Sequence, residues 1–296
     1  MITSMMPSWS TAIANAVLAQ RNNCFSRPGM INRIASAALL APLTLALLYF
    51  GTVRHLWVFF LFLVVGLLRE WHRFRPPVRR DDLFLSVSLG WLLVTSQYVG
   101  QPLWIPTLLT GGMACFIGMA TLRFTPQNQM LDRTGFLFFG LLYCAMPLVL
   151  ILQIRALPQG PAWLGMLLLI IWGTDIGAFF TGKLFGKRKL APHLSPGKTW
   201  AGFYGGTGVG VLVGWWAADF FSVANNSLHV ILLGLLLSLA GQLGDLVESM
   251  VKREAGVKDS GSLIPGHGGL LDRLDSLLFA TPVLSLYLFG VRLLGD

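Results

Sequence analysis

The sequence predicts an all-α fold: a polytopic integral membrane bundle of about nine transmembrane helices with its N-terminus on the cytoplasmic side. Three observations predict it. Apolar residues make up 54% of the chain and charged residues 12%, too little polar surface to solvate a soluble domain. Apolar runs that approach the length needed to cross a bilayer recur along the chain. Lys and Arg cluster on alternate loops, as their retention on the cytoplasmic side requires. The formal charge of +9 follows from that retention, so no nucleic acid is expected as a partner.

Residues 1–29 are polar and mixed, with Arg21, Arg27 and Pro28. No apolar core follows an early basic region, so they do not resemble a cleavable leader. They read as a flexible N-terminal extension, and Met30-Ile31-Asn32-Arg33 looks like a second start. Apolar runs follow near 34–50, 56–68, 83–99, 103–122, 135–152, 163–181, 203–221, 228–250 and 274–294. The second is short and could be re-entrant, but loop charge favours a span. With nine spans, Arg54, Arg155 and Arg292 are the only Lys or Arg outside; Arg21 lies in the N-terminal tail and the other eighteen fall at the cytoplasmic side. If the second run turned back, the arginines at 69, 73, 75, 79 and 80 would share a side with Arg54 and the asymmetry would blur. The chain then divides into the extension 1–29, N-terminal transmembrane helices over 30–160, and a catalytic transmembrane domain over 161–296. The last carries cytoplasmic loops at 182–200 and 251–273.

Cys24, Cys115 and Cys144 share no metal spacing, and the last two fall in apolar runs, where they read as small core residues. Gly202, Gly206, Gly210 and Gly214 recur at spacing four and predict a closely packed helix face.

The acids carry the chemistry. Asp175, Asp245 and Glu248 lie inside apolar runs, where each uncompensated acid costs roughly 2.5–3.5 kcal/mol. Something must offset that cost. Asp245, Glu248 and Ser249 are spaced i, i+3, i+4 and share one helix face. Asp272 and Asp275 share another at the start of the last run. Two carboxylate-bearing faces could form a cage of hard oxygen ligands for a divalent metal. The alternative is internal ion pairing, Asp272 with Arg253 and Glu248 with Lys252. Between the faces, Lys252, Arg253 and Lys258 alternate with glycines that let backbone amides approach an anion. His267 sits among those glycines and could donate to a phosphate. In the other loop, Gly197-Lys198-Thr199 invites a P-loop reading that fails: Pro192 stands where the first glycine belongs, and no strand is expected before it. A basic, hydroxyl-bearing clamp for a triphosphate and a headgroup-binding loop remain the two readings there.

Ser249-x2-Lys252-Arg253-x4-Lys258-Asp259-x5-Pro265-x-His267-Gly268-Gly269-x2-Asp272-Arg273-x-Asp275 resembles the signature of the phosphatidate cytidylyltransferases, or CDP-diacylglycerol synthases. The stretches around Asp175, Gly182, Lys183 and Lys187, and Ser195-Pro196-Gly197-Lys198-Thr199-Trp200, look like a second block of that family. The likeness runs from about 30 to 296 and is strongest after 160. Phe179 departs from a tyrosine found in many members, and Ala201 from a glutamate or glutamine.

The resemblance implies that phosphatidate and CTP react to give CDP-diacylglycerol and pyrophosphate in phospholipid biosynthesis. It implies Mg2+, with a second divalent or a monovalent cation able to share the site. On this reading Asp245, Asp272 and Asp275 hold metal, while Lys252, Arg253 and Lys258 stabilise phosphate. Asp259 orients Lys258 or the ribose. Asp175, Lys187, Ser195, Lys198, Thr199, Ser249, His267, Gly268, Gly269 and Arg273 bind substrate or nucleotide. A bacterial inner membrane, with the site facing the cytoplasm, suits both substrates, and a homodimer is compatible with the sequence. The rivals are a CTP-dependent kinase or cytidylyltransferase for another lipid, and an ion-coupled transporter using Asp175, Asp245 and Glu248. The transporter leaves the basic glycine loops unexplained.

Overall fold

A computed structural model of the chain describes residues 46–123, 130–223, 226–261 and 268–293. The expected extension 1–29, most of the first apolar run, Pro265 and His267 lie outside these residues. After a helical stretch at 46–50 come α1 (Val53–Arg73), α2 (Arg80–Tyr98), α3 (Trp104–Leu122), α4 (Met130–Arg155) and α5 (Gly160–Phe185). A hairpin of β1 (Lys189–Ala191) and β2 (Ser195–Thr199) leads into α6 (Trp200–Phe221), α7 (Ser227–Glu254) and α8 (Leu271–Leu293). Among the described residues, four helices are long and apolar enough to cross a membrane: those at Trp104–Leu122, Asp132–Arg155, Gly160–Phe185 and Ser227–Glu254. The protein is therefore a helical integral membrane protein. The short run 56–68 sits inside α1, whose 21 residues span about 31 Å at 1.5 Å per residue.

The helical class holds, with one small addition: β1 and β2 pair antiparallel, with Lys189 opposite Thr199 and Ala191 opposite Ser195. Both loops also begin later than the apolar runs suggested. Helix α5 runs on to Phe185 and places Lys183 in its last turn, where the exposed carbonyls of a helix C-terminus favour a cation. Helix α7 likewise continues to Glu254, with Lys252 and Arg253 in its last turn.

The second half is assembled by glycine. Gly202, Gly206, Gly210 and Gly214 are all buried on one face of α6, which packs along α5. A Cβ at Gly206 would lie 2.7 Å from Thr174 O and one at Gly202 2.8 Å from Ala178 O, so the two backbones touch. Polar side chains bridge the helices inside: Thr174 Oγ1 donates to Ser238 Oγ at 3.0 Å, and Gln242 Nε2 to Thr207 Oγ1 at 2.9 Å. Gly206→Val is expected to destabilise the protein by about 1–3 kcal/mol through overpacking, read as a lower melting temperature in detergent. Gly244 does the same work between α7 and α8, where a Cβ would lie 2.6 Å from Asp275 O. That contact presses the acid-bearing faces of α7 and α8 together.

The first half is held at one end by buried charge. Asp82, at the start of α2, accepts from Arg123 at 3.1 Å and from Arg133 at 2.7 Å, which ties the ends of α3 and α4 to it. At the opposite end Arg155 donates to the carbonyls of Leu48 (3.0 Å) and Gly51 (2.6 Å).

Candidate active site

Five elements, among them α6 through Phe203, contribute side chains to one cavity of ≈ 560 Å³. On α5, Asp175, Phe179 and Lys183 recur every four residues and so line one face. The hairpin adds Lys198, α7 adds Gln242, Asp245, Glu248 and Lys252, and α8 adds Asp272, Asp275 and Ser276. The i, i+3 acid faces of α7 and α8 thus meet at one place because Gly244 removes the side chain that would separate the helices.

The carboxylates are organised by lysines. Lys198 Nζ lies 2.8 Å from Asp245 Oδ2, and Ser249 Oγ lies 3.4 Å from Asp245 Oδ1. Lys252 Nζ is shared between Glu248 Oε2 at 2.7 Å and Asp272 Oδ1 at 2.6 Å. The other oxygen of Asp272 accepts from three donors: Ser260 N (3.0 Å), Ser260 Oγ (3.0 Å) and Gly269 N (2.8 Å). Gly268 adopts φ +81°, a left-handed turn that glycine takes without strain. It delivers the Gly269 amide to the carboxylate. Thr199 is buried and caps α6, its Oγ1 accepting from Gly202 N at 3.1 Å, so it anchors the hairpin to the helix that follows.

Of the residues singled out in the sequence, Asp175, Lys198, Thr199, Asp245, Lys252, Asp272 and Asp275 line this cavity. Arg253 instead donates to Leu194 O at 3.1 Å and joins the end of α7 to the hairpin turn. It is Lys252, and not Arg253, that pairs with Asp272; the Glu248–Lys252 pair forms as the spacing allows. Lys187, Ser195, Lys258, Asp259 and Arg273 are not among the lining residues, and all but Ser195 are exposed.

The site also has a member with no local signature. Glu70, near the end of α1, is 2% exposed. Its Oε1 accepts from Leu270 N, and its Oε2 accepts from Leu271 N and lies 3.0 Å from Ser260 Oγ, whose single proton is shared with Asp272 Oδ2. Its partners lie 190 to 201 residues away. The one sequence cue is an acid next to an apolar run, among arginines.

The lining suits a hard divalent cation. Five carboxylates (Asp175, Asp245, Glu248, Asp272, Asp275) face three lysines (Lys183, Lys198, Lys252), and Glu248 Oε1 is buried without a hydrogen-bond partner. Oxygen donors in excess over cations are what such an ion binds. Among the described residues, though, no three acid, histidine or cysteine side chains stand together as a ready cluster. In this structure the carboxylates of Asp245 and Asp272 are committed to lysines.

Comparison with known proteins agrees with this chemistry. The model of the cytidylyltransferase family matches residues 31–291. A phosphatidate cytidylyltransferase of Brucella suis is 36% identical over 263 residues, covering 87% of this chain and 92% of the relative. One of Haemophilus influenzae is 34% identical, covering 88% and 98%. One of Bacillus subtilis is 45% identical over 157 residues, where the match spans 57% of the relative. With nearly its whole length matched and its carboxylates and lysines gathered in one cavity among apolar helices, the chain belongs to the cytidylyltransferase family.

Proposed function

We propose that the chain transfers the cytidylyl group of CTP to phosphatidate, giving CDP-diacylglycerol and pyrophosphate. The observation that carries this is the convergence of carboxylates and lysines from α5, the hairpin, α7 and α8 on one cavity of a membrane protein. A phosphate oxygen of phosphatidate forms a bond to the α-phosphorus of CTP. The bond from that phosphorus to the β-phosphate oxygen breaks, and pyrophosphate leaves with its electron pair. A phosphomonoester is already ionised near neutral pH, so no general base is required. Both reactants are anionic, and catalysis falls to alignment and charge neutralisation.

The lysines supply part of that neutralisation. Lys198 comes from the hairpin and Lys252 from α7, so the two approach from different elements. The lining has more carboxylates than lysines, and a triphosphate adds further negative charge. Mg2+ held by Asp245, Asp272 and Asp275 would offset this charge and polarise the phosphate oxygens. Asp175 and Glu248 are placed to support that set. Phe179 and Phe203 also line the cavity, giving an apolar wall suited to the glycerolipid beside the polar floor.

In this reading the bundle has nine spans in a bacterial inner membrane, and the placement of basic residues favours a site on the cytoplasmic side. Arg54, at the start of α1, and Arg155, bonded to Leu48 and Gly51, lie at one end of the bundle. The cluster of Asp82, Arg123 and Arg133 lies at the end of α1 that carries Glu70 and meets the start of α8. The basic end and the site therefore coincide, as expected where CTP is cytosolic.

Purified protein with phosphatidate and CTP labelled at either the α- or the γ-phosphate tests the reading. The α-label is expected in lipid and the γ-label in pyrophosphate, with both transfers lost on chelation of divalent cations and restored by Mg2+. γ-Label in lipid would identify a kinase, and no transfer to lipid would remove the proposal.

A further inference from the structure

Helix α8 begins at Leu271, and the first amides of a helix have no partner within it. Such ends are usually capped by a nearby Ser, Thr, Asp or Asn. Here the cap comes from the other half of the molecule. The Glu70 carboxylate accepts from Leu270 N and Leu271 N, both at 2.9 Å, where the helix dipole favours negative charge. Its Oε2 also lies 3.0 Å from Ser260 Oγ, which in turn lies 3.0 Å from Asp272 Oδ2. One serine hydroxyl thus stands between a buried carboxylate of α1 and a cavity carboxylate of α8.

The surroundings leave Glu70 little freedom. A Cβ on Gly261 would come 2.5 Å from Glu70 Oε1, and one on Gly269 would come 2.6 Å from Glu70 Oε2. The backbone at Gly261 and at Gly269 is thus closed onto the carboxylate. Neighbours of Glu70 fix α1 in the same way. Trp71 Nε1 donates to Phe136 O on α4 at 3.0 Å, and His72 lies between Leu68 O (2.8 Å) and Ser86 Oγ (3.2 Å) on α2. Glu70 is therefore held by a rigid end of α1 and does not itself line the cavity.

We propose that Glu70 is a positioning residue for the reaction: through Ser260 and the amides of Leu270 and Leu271 it fixes the Asp272 carboxylate in the cavity without touching substrate. This rests on the transfer proposed above. A group acting at one remove should alter turnover more than nucleotide affinity, because no side chain lining the cavity is itself replaced. Oriented supports of this kind typically change activity about 10–100-fold when removed.

The test compares Glu70→Gln, Ser260→Ala and the double variant in the full-length protein. Melting temperature, kcat, KM for CTP and amide hydrogen exchange over residues 268–275 are the readouts. Glu70→Gln puts an amide N–H2 against a backbone N–H or the serine. It is expected to lower kcat by about tenfold, leave KM for CTP within about twofold, and speed exchange at the start of α8. The double variant should lose clearly less than the product of the two single losses, because both act on the same Asp272 carboxylate. A folded Glu70→Gln protein with kcat within about twofold of the parent, or multiplicative losses in the double variant, would overturn the proposal. If Glu70→Gln does not fold, Ser260→Ala is judged alone by the same kcat and exchange criteria. A parent protein that shows no transfer defeats the reaction, while the exchange measurement still decides whether Glu70 clamps α8.

Discussion

Asp272→Asn is expected to lower transfer by on the order of 100- to 1000-fold, with the bundle still assembled. The two oxygens of Asp272 have different work. Oδ2 takes Ser260 N, Ser260 Oγ and Gly269 N, and Oδ1 takes Lys252 Nζ. Every one of these partners is a donor, so the site has no place for an N–H2. If the asparagine oxygen keeps the loop amides, its nitrogen faces the Lys252 ammonium where 2.6 Å now separates the pair. If the side chain turns over, its nitrogen faces two backbone N–H groups. Either way the substitution removes a charge from the lining and leaves a donor against a donor. Most helix contacts are elsewhere, so circular dichroism should be preserved. Turnover near that of the parent would remove Asp272 from the chemistry.

Lys252→Met is expected to be at least as costly, and to stability as well as to turnover. The Lys252 side chain is 13% exposed, and its partners Glu248 and Asp272 are 2% and 12% exposed. Methionine keeps the length of the apolar stem but leaves two shielded carboxylates without their common cation. Breaking a buried pair by removing one partner typically costs about 3–5 kcal/mol, because the remaining charge is uncompensated. The melting temperature in detergent should fall clearly, and transfer should be lost in the folded fraction. Lys252→Arg should restore stability more than activity. A planar guanidinium can satisfy two carboxylates, but it cannot sit as a compact point charge between them. A Lys252→Met protein as stable and active as its parent would show that this lysine is only a satisfied surface charge.

These two residues mark how far local sequence carries the site. The i, i+4 spacing of Glu248 and Lys252 announces their pairing, and the i, i+3 spacing of Asp272 and Asp275 announces a shared face. Which cation meets Asp272 is different. Lys252 and Arg253 are adjacent in sequence but point about 100° apart around α7, and the position of α8 selects Lys252. Arg253 is turned toward the Leu194 carbonyl. The hairpin lacks a local signature for another reason. Its strands have three and five residues, and Ser195-Pro196-Gly197-Lys198-Thr199 has little intrinsic preference for strand. The backbone pairing there is sustained by its anchors, Thr199 on α6 and Arg253 on Leu194.

By itself the sequence determined a helical membrane protein, a glycine-packed α6, and two acid-bearing helix faces near the C-terminus. Apolar run length and side-chain periodicity are properties of a few adjacent turns, so they can be read without knowing what lies across the bundle. Only the tertiary structure decided that Glu70 closes the start of α8 and that Lys252 bridges two carboxylates. Those contacts join segments up to 201 residues apart, and their geometry depends on how closely glycine lets the helices approach.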